Sequence, residues 1–136
     1  MVATFLAALV LTSPAFHNGA QIPRTYTCDG RNISPALRWT APPRSTRSLG
    51  LRVVDIDARG FVHWDARVAS TAGHGLAAGY KGQATGERSN SVGTTGYTGP
   101  CPPPGSGRHR YVFTLTAFGP GGKVLARARL VGVYSR

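Results

Sequence analysis

The sequence predicts an all-β sandwich, and three observations carry that prediction. Leu49, Leu51 and Val53 share one face of an extended segment by the period of two, and Tyr111, Phe113, Leu115 and Ala117 share one face of another. The 18 glycines and 10 prolines interrupt the chain at short intervals, which suits short strands joined by turns better than helices. A length of 136 residues fits one domain, 1–136, able to bury roughly two thirds of its unfolded surface. Hydrophobic residues at 41% and charged residues at 15% argue against a disordered chain.

The apolar run Met1 to Val10 is too short to span a bilayer, so no integral membrane segment is expected. With no Lys or Arg before Arg24 it lacks the positive start of a signal peptide, although Ser13 and Ala15 are small enough for cleavage after Ala15. It is read as an N-terminal strand extension in a cytoplasmic protein, with an incomplete signal peptide and export as the alternative. His17, after the first strand, reads as solvated. From Ile22 to Trp39 the chain reads as turn, extended segment, turn and strand start, with Leu37 and Trp39 opening a buried face.

Pro42 and Pro43 break that strand ahead of the Leu49 column. The same period of two puts Asp55 and Asp57 at the column's end, although the chain holds only five acidic residues. Two neighbouring carboxylates repel, which raises one pKa unless a cation, a donor or a metal stabilises them. His63 follows shortly. The Gly/Ala-rich stretch Ser70 to Arg88 reads as a loop over the rim of a pocket, with His74 at the surface. A Gly/Pro run from Gly93 then ends in a strand on which His109 and Tyr111 continue the Phe113 column toward the loop. That is the position of a pocket mouth, the plainer alternative being a solvated strand end. A hairpin through Gly119 to Gly122 leads into Lys123 to Tyr134, whose alternating Ala126, Ala128 and Leu130 suit a half-exposed strand.

A net charge of +11 raises nucleic-acid binding as one reading. The 14 arginines are scattered without a dense basic run or an interleaved aromatic platform, so no specific nucleic acid is expected. Weak, salt-sensitive attraction to polyanions follows regardless.

The ordered series TSPAF, IPRTYTCDGRNISPALRW, DIDA, FVHW, NSVGTTGYTGPCPPPG and HRYVFTLTAF resembles the phosphatidylethanolamine-binding protein family in its bacterial Raf-kinase-inhibitor-like branch, from Leu11 to Arg136. The resemblance implies two packed antiparallel sheets in a Greek-key-like arrangement and a small anion pocket. The pocket would take Asp55 and Asp57 from the acidic segment, and His63 and Trp64 from the histidine-aromatic pair. Tyr97 with Gly99, Pro100, Cys101, Pro102 and Pro103 would come from the loop, and His109 and Tyr111 from the last motif. It also places Cys28 and Cys101 in neighbouring loops, where a disulfide and two reduced thiols are equally open readings. The chain departs from the pattern at Ile56 and Arg59, which replace prolines, and after Phe118, where the usual helix is missing.

A carboxylate beside an imidazole raises its pKa and fixes its tautomer, giving a charged donor for an oxyanion at His63 or His109. Backbone N–H groups from Gly99 to Cys101 could form a small nest, and Tyr97 and Tyr111 could add hydroxyls. The expectation is a non-enzymatic receptor for a small anionic or phosphorylated ligand, without cofactor. A kinase or protease target is implied by the resemblance, and a homodimer is a further expectation. The alternative is an enzyme: an Asp/His metal site, for which no HxH or HExxH spacing exists, or a hydrolase, for which no GxSxG elbow exists and Ser89, Ser91 and Ser106 stand in no special context. Non-specific nucleic-acid binding through the basic surface ranks third.

Overall fold

The computed structural model describes residues 8–69, 73–80 and 86–136. It is all-β, two antiparallel sheets joined by turns and loops that include two three-residue 3-10 turns, Arg24–Tyr26 and Pro120–Gly122. The strands are β1 (Leu11–Thr12), β2 (Leu37–Trp39), β3 (Ser48–Asp55), β4 (Phe61–Ala69), β5 (Gly75–Leu76), β6 (His109–Phe118) and β7 (Val124–Tyr134). A small sheet of order β1-β2-β5 packs over a large one of order β4-β3-β6-β7.

The large sheet forms where the sequence alternates. Leu49, Leu51, Val53 and Asp55 are all buried on β3, and His109, Tyr111, Phe113, Leu115 and Ala117 are all buried on β6. The register pairs these columns across the strands, Leu51 with Leu115, Val53 with Phe113 and Asp55 with Tyr111. Phe16, Ile22, Leu37 and Trp39 close the core from the opposite layer. Each such large side chain contributes roughly 1.5–3 kcal/mol by leaving water. The expected PGG hairpin joins β6 to β7, with Gly119 N–H donating to Lys123 O at 2.7 Å.

Within the expected rim loop, Gly75–Leu76 pairs with β2 as a two-residue strand, too short to show a period. His74 and His17 are exposed, as read. The Met1 to Val10 extension lies mostly outside the described residues. No described helix is long and apolar enough to cross a membrane.

One irregularity positions the site. Val53 pairs with Trp64 but Val54 pairs with Val62, so His63 is an extra residue on β4. This β-bulge turns His63 and Trp64, consecutive in sequence, both toward the interior.

Candidate binding site

At the end of the buried columns of β3 and β6 lies a cavity of about 230 Å³. Its polar groups are Asp55, His63, Thr98, His109 and Tyr111, and its walls are Ala58, Phe61, Val92, Gly99 and the run from Cys101 to Pro103. Of the expected residues, Asp55, His63, Gly99, Cys101, Pro102, Pro103, His109 and Tyr111 line it. Asp57, Trp64, Tyr97 and Pro100 do not.

Asp55, only 3% exposed, is the centre of the hydrogen bonding. Its Oδ2 accepts from His109 Nδ1 at 2.7 Å, and its Oδ1 accepts from the Asp57 N–H at 2.8 Å. The second bond is an Asx turn, and it ends the strand at Asp55, two residues before Asp57 could rejoin the buried face. Asp57 therefore points outward, where both its oxygens take the Arg110 guanidinium and its Oδ2 takes the Arg110 N–H. Arg110's hydrogen bonds hold the Asp57 carboxyl at about 2. The two carboxylates do not form the anticipated like-charge pair: Asp57 turns out to Arg110 and Asp55 turns in to His109.

His109 Nε2 lies 3.0 Å from Ser106 Oγ, and that hydroxyl donates its single proton to Pro103 O at 2.7 Å. Both His109 ring nitrogens are thus engaged, Nδ1 by the Asp55 carboxylate and Nε2 by the Ser106 hydroxyl. His63 differs. Its Nδ1–H donates to Thr98 O at 2.8 Å, and Nε2 has no hydrogen-bond partner among the described residues. Burial lowers the His63 pKa, and this outweighs the Thr98 bond, the Asp55 charge and the Gly99 backbone, which act to raise it. The upward shift expected for a histidine near a carboxylate is thus reversed at His63 by desolvation. Its ring packs edge-on to Tyr111, with centroids 5.2 Å apart.

The Tyr111 hydroxyl is buried and makes no hydrogen bond of good geometry, although the Asp55 carboxylate lies near enough to act on it; burial first, then the Asp55 charge and its hydrogen bonding, raise the Tyr111 pKa. Tyr97 instead spends its hydroxyl on Tyr26 O at 2.6 Å and packs edge-on against Trp64, whose Nε1–H goes to Glu87. Trp64 is a core residue and the half-buried Tyr97 packs against it, so the two pin the loop from behind instead of lining the cavity as the resemblance implied. The loop is also held by the Cys28–Cys101 disulfide, with Cα atoms 5.4 Å apart, and by Cys28 N–H to Pro100 O. The expected nest does not form over Gly99 and Pro100: Gly99 N–H is bound by Asn32 Oδ1 at 2.7 Å, and proline has none. A side chain at Gly99 would overlap Tyr26 O and Asn32, so glycine is required by close approach. Sequence reasoning missed Ala58, Phe61, Val92 and Thr98, and of these only Phe61 carried a signal, by standing two residues before His63.

An Asp–His pair and a second histidine thus stand together beneath a Gly/Pro loop at one end of the sandwich. The family model for phosphatidylethanolamine-binding protein matches residues 12–135, and the chain belongs to that family. A UPF0098 protein of Aquifex aeolicus is 35% identical over 154 residues, covering 96% of this chain and 90% of its own. UPF0098 protein Rv1910c of Mycobacterium tuberculosis is 44% identical over 79% of this chain, and the chain spans about half that relative's length. Another relative from that organism, 40% identical, bears a lipoprotein name, LppC. Among solved structures, Escherichia coli YbcL matches with a TM-score of 0.85 at 25% identity, covering 96% of this chain and 99% of that one. A Chlamydia trachomatis homologue, CT736, matches with 0.83 at 31%, covering 95% and 98%. At this level the family supports a binding protein rather than an enzyme.

Proposed function

We propose that the cavity receives a small ligand by an oxyanion head such as a phosphate monoester, without breaking a bond in it. The observation that carries this reading is the Tyr111 hydroxyl. It is buried beside the Asp55 carboxylate without a hydrogen bond of good geometry, and a ligand oxyanion in the cavity would give it an acceptor. His63 provides the second contact. With Nδ1–H bound to Thr98, the neutral ring offers only a lone pair at Nε2, so an anion is bound as His63 takes up a proton. Asp55 turns its Oδ2 to His109 and its Oδ1 to the Asp57 N–H, so both its oxygens are already engaged by donors of the chain. Phe61, Pro102 and Pro103 give the ligand's substituent an apolar wall.

The test is calorimetric titration with inorganic phosphate and phosphoethanolamine across the range in which His63 titrates. Affinity should fall as pH rises, and Tyr111→Phe should weaken binding about tenfold, the loss of one charge-assisted hydrogen bond. The same variant should stabilise the empty protein by removing a buried hydroxyl that makes no hydrogen bond of good geometry. Unchanged affinity in Tyr111→Phe would refute the reading.

A second reading is favoured by one observation, the line Ser106 Oγ, His109 Nε2, Nδ1, Asp55, which has the order of a nucleophile, base and carboxylate. It ranks lower because the Ser106 hydroxyl donates to Pro103 and stands exposed outside the cavity. Labelling of Ser106 by a fluorophosphonate would promote it. The disulfide and the lipoprotein-named relative favour an oxidising, exported setting over the cytoplasm.

A further inference from the structure

On the side of the large sheet away from the core, the register sets arginines in two rows. One runs Asp65, Arg52, Thr114, Arg129, and the next runs Arg67, Gly50, Thr116, Arg127. They border a trough of about 450 Å³ floored by Thr114, Thr116 and Gly50. Arg52, Arg127 and Arg129 are exposed, and none of the four arginines makes an ion pair among the described residues, nor does Asp65, the trough's one acidic residue. Arg67 is fixed in place: its guanidinium lies 4.0 Å over the Phe118 ring and donates to Ser48 Oγ. That ring in turn lies across Gly50, where a Cβ would stand 2.8 Å from it. The glycine lets the ring lie flat and the ring seats the cation, so this part of the charge is built into the sheet.

We infer that this outer face docks an acidic, extended segment of a partner protein. Same-side positions along a strand repeat about every 6.7 Å, and Arg52 and Arg129 flank β6 from strands about 9.6 Å apart. An extended chain laid over Thr114 and Thr116 puts alternate carboxylates at the same repeat, one for each arginine row, with threonine hydroxyls beneath as further donors. The row beyond Arg52 is Val54, Val112 and Val131, half-buried, and meets an apolar side chain at the next alternate position. The pattern recognised is therefore apolar-x-acidic-x-acidic. Nucleic acid fits less well, since Arg67 covers the trough's aromatic ring and leaves no stacking platform. A second copy of the chain is opposed by its own charge.

The test is fluorescence anisotropy with a labelled short peptide that alternates serine with glutamate after a valine. A peptide of the same composition with contiguous glutamates, a short DNA duplex and anionic phospholipid vesicles serve as comparisons. The alternating peptide should bind best, weaken with salt, and lose at least about tenfold in Arg52→Ser/Arg127→Ser/Arg129→Ser. If that variant fails to melt like wild type, Arg129→Glu alone replaces it. Equal binding of the contiguous peptide, tighter binding of duplex or vesicles, or undiminished affinity in the variant would overturn the inference.

Discussion

His63 ties the pocket's chemistry to the stability of the whole protein. Its folded pKa lies below the unfolded value of about 6.5, so between the two the unfolded chain binds more protons and stability rises with pH. The contribution is lost as pH falls through the unfolded value toward the folded one. Thermal melting should show that loss, and His63→Phe, which cannot be protonated, should flatten it. Asp57 acts in the same direction in a lower window: with its pKa at about 2, its contribution fades as pH falls from about 4 toward that value, and Asp57→Asn should remove the dependence. The sequence displayed both aspartates but not their parting, because the period of two holds only while the strand continues. The Asx turn at Asp55 ends it.

At the scale of elements, β6 was fully legible, since alternation over ten residues has one buried face. The bulge that turns His63 and Trp64 to the same side was not, because an inserted residue is defined only against a partner strand. The 97–103 loop was legible as rigid but not as to which side chains line it. Its fixings give two further predictions. Gly99→Ala should destabilise by about 1–3 kcal/mol through overlap with backbone. Cys28→Ser with Cys101→Ser, opening a link across 73 residues, should cost about 2–5 kcal/mol by denaturant titration and weaken phosphate binding as the loop loosens.

Across the whole molecule, arginines that look scattered along the sequence gather on one face only when β3, β4, β6 and β7 are aligned, while the titratable cluster sits inside the sandwich. The two sites therefore separate experimentally, since the outer one responds to salt and the inner one to pH. The most direct test of the inner site follows the His63 ring by side-chain nitrogen NMR through a pH titration, with and without saturating phosphate. The account predicts that phosphate moves the His63 midpoint upward and that Tyr111→Phe reduces the shift. Phosphate binding that leaves the His63 titration where it was would contradict it.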